Sequence, residues 1–277
     1  SLAALFAASS ALAIPITPAA FGSGVVVESF EGLVLGPNLQ LGMGASKQAV
    51  ADSGIDPDRV NLERVGVMVG SGIGGLMTLE NNHTLLLQKH PSRVSPFTIP
   101  MMIGNILSGM VSMEYGFLGP NMCITTACAT SNHNIGEAWR IIRCGDADAI
   151  VAGGAEASIA PMGLAGFGNM KALSTRNDAP EKASRPFDRG RDGFVMSEGG
   201  GVVVLEELEH ARKRGAHIYC ELAGYGISAD AYHLSAPLPE GEGASRCMDM
   251  ALRHARLNPA DVQYINAHGT STPVGDI

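Results

Sequence analysis

The chain has 277 residues, 45% of them hydrophobic and 17% charged, with a formal net charge of -8 at pH 7. That length buries a substantial core in one large or two modest domains, and an acidic balance without a polybasic tract gives little support for nucleic-acid binding. No apolar run is long and clean enough to span a membrane, and neither the five cysteines nor the eight histidines fall at paired or metal-ligand spacing, so a reducing compartment and no metal are expected.

Residues 1–14 are rich in Leu and Ala but lack a basic flank, so they read as a packing segment, not a secretion signal; no Lys or Arg precedes Lys47. Short strands are expected at 25–27 and 33–35, a helix at 42–53 with Ala45, Ala49 and Val50 on its apolar side, and a buried strand at 65–69. The run Gly70-Ser71-Gly72-Ile73-Gly74-Gly75 follows as a loop. It fails the dinucleotide fingerprint in its spacing, and is expected to let backbone pack beside a pocket with Ile73 as an apolar wall. Residues 76–89 are expected to be helical, Pro91 and Pro100 to punctuate a linker, and the methionine-bearing 103–115 to fill core or a subunit interface.

Residues 121–126 lead to Cys128, and the next helix is expected at 129–142, where Ile135, Ala138, Trp139 and Ile142 recur at helical intervals. A buried strand is expected at 148–152, ending at Gly153-Gly154, and another at 201–205. A charged helix follows at about 206–214, stopped by Gly215. A comparable series begins near His217, with a strand at 218–223, a helix at 244–255 turning Met248, Ala251, Leu252 and Ala255 inward, and a strand at 262–265. Buried strands alternating with helices predict an α/β layered fold. The chain stops directly after a functional-looking loop, so a piece of a longer protein is expected.

Two segments carry the chemistry, Thr125-Thr126-Ala127-Cys128-Ala129-Thr130-Ser131 and Asn266-Ala267-His268-Gly269-Thr270-Ser271-Thr272. A cysteine between an apolar run and a helix gains from unpaired helix N–H groups and the positive end of the helix dipole, which favour the thiolate. Its own N–H can point at a tetrahedral oxyanion, and Ala127 and Ala129 leave room for a thioester. His268 can donate a hydrogen bond to a substrate carbonyl and stabilise an enolate, while Thr270, Ser271 and Thr272 offer hydroxyls to a polar substrate arm. On residue chemistry alone, an inert buried cysteine and a capping histidine remain the alternatives. His133 and His233 read as packing or loop residues. Asp188, Arg189, Arg191 and Asp192 read as a salt-linked structural loop first and a substrate contact second.

With these segments go Val151-Ala152-Gly153-Gly154-Ala155-Glu156, Leu173-Ser174-Thr175-Arg176-Asn177, Ser184-Arg185-Pro186-Phe187-Asp188 and Arg191-Asp192-Gly193-Phe194-Val195. Over roughly residues 42–277 the chain resembles the β-ketoacyl-acyl carrier protein synthases, type II condensing enzymes of the thiolase-like superfamily. The resemblance implies duplicated α/β halves in five layers, α/β/α/β/α. Residues 1–215 would form the half carrying the nucleophile, and 216–277 the beginning of an incomplete second half carrying the histidine loop. It implies that Cys128 takes an acyl chain from acyl carrier protein as a thioester. His268 would then stabilise the enolate formed when malonyl carrier protein loses carbon dioxide, giving a decarboxylative Claisen condensation in fatty acid elongation.

By the same resemblance, Ile73 and Phe167 border the acyl tunnel and Thr270 and Thr272 meet the phosphopantetheine arm. Arg93 and Lys171 present positive charge to the acidic carrier protein. No permanently bound cofactor is implied, since phosphopantetheine travels on acyl carrier protein. A homodimer is implied, with 103–115 at its interface, in the cytoplasm or in a plastid or mitochondrion of a eukaryotic cell. Three departures from the family stand out. Residues 1–41 do not show its opening Gly-rich strand and turn, its lysine and second histidine do not occur, and neither does the phenylalanine gate beyond them. The chain is therefore expected not to condense by itself. A polyketide-type ketosynthase would share the chemistry. The His268 loop argues against a coenzyme A-dependent thiolase, and Cys128 against an inactive, chain-length-factor-like partner subunit.

Overall fold

The computed structural model describes residues 36–276, so the expected packing segment at 1–14 and strands at 25–27 and 33–35 lie outside the described residues. These residues form two compact units, one of 36–165 with Ser197–His217, the other of Gly166–Met196 with 218–276. The elements follow in the order α1 (Pro37–Ser53), β1 (Val65–Gly70), α2 (Leu76–Gln88), α3 (Thr98–Met102), α4 (Ile106–Tyr115), α5 (Thr130–Cys144), β2 (Ala149–Glu156), α6 (Pro161–Asn169), β3 (Gly199–Glu206), α7 (Leu208–Lys213) and α8 (Glu242–Ala255).

The first unit is layered around a sheet ordered β1-β2-β3. β1 and β2 run parallel with Val65 opposite Ala149, and β2 and β3 antiparallel with Ala149 opposite Glu206. All six residues of β1 and the first seven of β2 are buried, as expected of strands covered on both faces. Their side chains alternate between layers. Val65, Val67, Val69, Ala149 and Val151 join Leu39, Met43, Val50, Leu107, Met110 and Val111 of α1 and α4. Met68, Ile150 and Ala152 join Ala138 and the partly buried Ile135 and Ile142 of α5. The apolar stripe expected on that helix is the one that packs. Trp139, at its margin, has the Arg143 guanidinium 4.6 Å over its ring.

Several boundaries move for identifiable reasons. α1 starts at Pro37, before the expected residue 42, because proline at the first helical position gives up only an N–H that has no intrahelical partner. Pro100 lies in the first turn of α3 for the same reason, so the stretch from Pro91 is a short turn at Pro91–Arg93 followed by a helix, and not only a linker. α4 is core on one side: Leu107, Met110 and Val111 are buried while Met113 is exposed. Its Ser108 hydroxyl bonds the Val69 N–H at 2.9 Å, the Val69 carbonyl at 3.0 Å and the Met122 carbonyl at 2.9 Å. Glu206 completes β3 and does not open the following helix, which starts at Leu208 with the Glu207 carboxylate accepting the His210 N–H. Gly215, at φ 73°, ends it as expected.

In the second unit α8 extends from Glu242, two residues ahead of the expectation at Ala244, and its packed face differs from the expected one. Ala251 and Leu252 are buried, but Met248 is 40% exposed. A Cβ on Gly226 would come within 2.0 Å of the Cys247 carbonyl oxygen, and one on Gly224 within 2.2 Å of that of Ala251. The helix therefore approaches backbone through its small residues, and methionine stays outside. Residues 218–223 and 262–265 are not strands among the described residues. Glu221 forms an isolated bridge only, and Tyr219, Tyr264 and Ile265 are exposed. No described helix is long and apolar enough to cross a membrane.

Candidate active site

Cys128 sits where the sheet hands the chain to α5. Residues from Pro120 run beside β1, with the Val67 N–H donating to the Pro120 carbonyl at 2.9 Å and an isolated parallel bridge between Val67 and Asn121. The approach to Cys128 is splinted by Asn134 of α5. This fully buried amide donates to the carbonyls of Ile124 at 3.0 Å and Thr130 at 2.9 Å, and its oxygen accepts the Ile124 N–H at 3.0 Å. A buried amide satisfied in this way fixes one segment against another.

The α5 N-terminus comes down on the carboxyl ends of β1 and β2 because Gly70 and Gly154 leave room for it. A Cβ on Gly70 would meet Asn134 Nδ2 at 2.5 Å and Thr130 Cγ2 at 2.8 Å, and one on Gly154 would meet Ser131 Oγ at 2.4 Å. Ligands of parallel α/β sheets gather at this end of the strands.

Cys128 lies in a single 3-10 turn, Ala127–Ala129, ahead of α5, whose first residue is Thr130 and not Ala129 as expected. Ala127 holds φ 51°, a left-handed conformation that a residue with a Cβ adopts only when its surroundings compel it. The surroundings here are the Thr126 N–H on Thr130 Oγ1 at 2.9 Å, the Ala129 N–H on the Thr126 carbonyl at 3.1 Å, and Thr126 Oγ1 sharing a hydrogen bond with His133 Nδ1 at 2.7 Å. His133 therefore braces the turn, a packing role in keeping with its sequence reading. Cys128 is exposed, as are Cys144 and Cys220, so its thiol is reachable and is not a buried one. Cys247 shows the contrast: it is half-buried, bonded to the Gly226 carbonyl, and burial pushes its thiol above the usual cysteine range.

In the same unit, the backbone that leads into Ile73 borders this turn. A Cβ on Gly72 would lie 3.3 Å from the Ala127 carbonyl oxygen, so the residue before Ile73 lies against the residue before Cys128. Ile73 is 46% exposed. Arg93 closes the short turn at Pro91–Arg93 and is exposed.

His268 belongs to the other unit, on a loop built from the charged segment downstream of Phe167. The Arg191 guanidinium donates to the carbonyls of Thr272 at 2.9 Å and Pro273 at 2.8 Å, the Gly193 N–H donates to the Ser271 carbonyl at 2.9 Å, and the Arg185 N–H to Ser271 Oγ at 3.0 Å. Asp276 closes the loop from inside: Oδ1 accepts the Thr270 N–H at 2.9 Å, and Oδ2 accepts the N–H groups of Phe187 at 2.9 Å and Ser271 at 2.8 Å. Asp192 accepts the Ser174 hydroxyl and the Thr175 N–H, which hold its carboxyl below the usual range. These bonds give the Asp188–Asp192 patch the structural role read first from the sequence.

Ser271 is fully buried and serves as the post of the loop, not as a hydroxyl offered to substrate. Thr270 and Thr272 on either side of it are partly buried, with their Oγ1 atoms 2.9 Å apart. His268 itself is exposed. Phe167 packs edge-on against Phe194 at 5.2 Å, and Lys171 is exposed at φ 58°.

Glu156, Asn134 and Asp276 are organising residues whose roles pattern reasoning did not assign, while Arg191 belongs to the mixed-charge patch at 188–192. For Glu156 a signal existed, an acid closing a strand of otherwise buried residues. For Asp276 and Asn134 there was none: their partners Thr270, Ser271, Ile124 and Thr130 are near in sequence, but neither residue sits in a pattern that marks it as their acceptor or donor. Among the described residues, no group of acidic, histidine or cysteine side chains is arranged to hold a metal ion.

Residues 28–211 match the family described as beta-ketoacyl synthase, N-terminal domain, and residues 219–277 match beta-ketoacyl synthase, C-terminal domain. The chain is 54% identical to a 3-oxoacyl-[acyl-carrier-protein] synthase 2 of Vibrio harveyi over 239 residues, 86% of this chain and 58% of the relative. It is 55% identical to the protein of that name from Coxiella burnetii over 238 residues, again 86% of this chain and 58% of the relative. It thus spans under two thirds of the length of these curated relatives. Among solved structures it superposes with TM-score 0.83 and 35% identity, over 86% of this chain and 60% of the other, on a type II polyketide ketosynthase in complex with its acyl-carrier protein. The expected mixed α/β, thiolase-like fold is the fold observed, and the chain belongs to the beta-ketoacyl synthase family.

Proposed function

We propose that the protein is a condensing enzyme that joins an acyl group held on Cys128 to malonyl-acyl carrier protein, as in fatty acid elongation. In the first step Cys128 Sγ attacks the carbonyl carbon of an acyl thioester. The carbon–sulfur bond to the enzyme forms, and the carrier's phosphopantetheine thiol leaves with its electron pair and takes up a proton. In the second, malonyl thioester loses carbon dioxide, and the electron pair of the broken carbon–carbon bond passes into an enolate whose oxygen accepts a hydrogen bond from His268. The enolate carbon attacks the acyl-cysteine, and the Cys128 thiolate leaves.

The observation that carries this reading is the exposed Cys128 on a left-handed turn ahead of a 15-residue helix, where dipole and N–H groups favour a thiolate. Ile73 and Phe167 border the acyl chain, Thr270 and Thr272 bond the phosphopantetheine arm, and Arg93 and Lys171 meet the acidic carrier protein. No other cofactor is needed. Identity of 54% to proteins named 3-oxoacyl-[acyl-carrier-protein] synthase 2, against 35% to the polyketide ketosynthase, supports the fatty acyl substrate over the polyketide one. The protein works as a homodimer with the 103–115 region at its interface. None of its five cysteines forms a disulfide, which accords with a reducing compartment such as the cytoplasm.

The test is acyl transfer from acyl carrier protein followed by peptide mapping. The acyl mass is expected on the peptide holding Cys128 and lost in Cys128→Ala. Label on another cysteine, or label that survives that substitution, overturns the assignment.

A further inference from the structure

β2 is buried through its first seven residues and ends in a partly exposed acid, Glu156. The Glu156 carboxylate grips one loop: Oε1 accepts the Ser71 hydroxyl at 2.9 Å, and Oε2 accepts the N–H groups of Gly72 at 2.8 Å and Ile73 at 3.0 Å. Ser71 extends the grip, with its Oγ accepting the Gly74 N–H at 2.9 Å and its carbonyl accepting the Thr125 hydroxyl at 3.2 Å, three residues before Cys128. On the far side the Gly75 N–H donates to the Met102 carbonyl at 3.2 Å, and a Cβ on Gly74 would meet that oxygen at 2.6 Å. This anchoring does not bury Ile73, which stays 46% exposed. What it fixes is the backbone from which the Ile73 side chain extends, next to the nucleophile's turn.

We propose that Glu156 is a positioning residue: its carboxylate fixes the backbone carrying Ile73 against the Cys128 turn and so sets which acyl chains the thiol accepts. The inference rests on Cys128 being the acyl acceptor. Two N–H groups converging on one carboxylate oxygen form a rigid anion nest. Without the carboxylate those donors are unpaired, and the loop can shift toward other partners. Discrimination between chains of different length depends on apolar walls held in place, so it is this property that responds.

The experiment measures acylation rates of Cys128 in the full chain, by intact mass, from carrier protein loaded with a short or a long saturated acyl group. Glu156→Ala is expected to change the long-to-short rate ratio by about tenfold or more. Glu156→Gln, whose amide oxygen can still accept both N–H groups, restores the ratio to within about threefold of wild type. In an Ile73→Ala background the effect of Glu156→Ala on the ratio vanishes, because the two residues act as a unit. A merely structural role would leave that coupling at zero.

An unshifted ratio in Glu156→Ala, or a shift that persists with Ile73→Ala, overturns the inference while acylation of wild-type Cys128 still upholds the function. Wild-type protein that takes no acyl group on Cys128 overturns both. Should Glu156→Ala not fold, Ser71→Ala keeps the carboxylate, removes one of its donors, and is expected to move the ratio by about threefold; no movement defeats the inference.

Discussion

Asp276 offers a direct test of how the His268 loop is held. It is 5% exposed and accepts three N–H groups, from Thr270, Ser271 and Phe187. Asp276→Asn preserves the shape but leaves one acceptor oxygen. Oriented toward the Ser271 and Phe187 donors it keeps two of the bonds, and its NH₂ then faces the Thr270 N–H, donor against donor. A hydrogen bond to a charged acceptor contributes roughly 1.5–3 kcal/mol, and at about 2 kcal/mol the open form of the loop becomes roughly thirtyfold more populated. Amide hydrogen exchange read by mass spectrometry follows this directly. Peptides covering 184–195 and 266–276 should exchange roughly thirtyfold faster in the variant, and peptides covering β1 and β2 should exchange as in wild type. Alkylation of Cys128 stays at the wild-type rate. Unchanged protection over 266–276, or loosening spread equally into the sheet, would refute the role given to Asp276.

Arg64 Nε donates to Asp148 Oδ1 at 2.8 Å, and this bond holds the Asp148 carboxyl below the usual aspartate range. Because the folded pKa is the depressed one, the stabilisation is fully present above the unfolded aspartate value of about 3.9 and is lost as pH falls through the folded value. Urea midpoints should therefore decline more steeply below about pH 4 in wild type than in Asp148→Asn; parallel declines would contradict the pairing. Gly154→Ala places a methyl 2.4 Å from Ser131 Oγ and 2.9 Å from the Gly70 carbonyl oxygen. Ser131 can rotate away but the β1 backbone cannot, so an overpacking loss of about 1–3 kcal/mol is expected in denaturant melts. A loss under about 0.5 kcal/mol, the usual scale of an unconstrained surface change, would show that α5 does not rest on that strand.

What the sequence made legible is what depends on neighbours in the chain. The buried strands β1 and β2 announce themselves as short apolar runs because both faces are covered, and α5 by Ile135 and Ala138 on one stripe. Cys128 and His268 were legible because small residues crowd around them where elements end. What was not legible depends on residues far apart. Glu156 meets its Ser71 partner across 85 positions and Asp276 meets Phe187 across 89. No local spacing distinguishes Asp276 from the other members of a set of 27 acids, and the place of Glu156 at the end of a buried strand marks the residue without naming its partners. The same limit explains the strands expected at 218–223 and 262–265. Their apolar content was read correctly, but a ladder is a property of two segments, and Tyr219 and Tyr264 are each 74% exposed. Met248 failed for a related reason. Helical periodicity assigns the large apolar residue to the core, whereas α8 packs through Gly243, Cys247 and Ala251 because the backbone at Gly224 and Gly226 approaches too closely for a longer side chain. In both compact units, then, the reactive side chains stand out in the sequence and the pairings of the carboxylates that fix their loops do not. A variant that keeps Cys128 and His268 but loses Glu156 or Asp276 would keep the family's signature while changing how its loops are held.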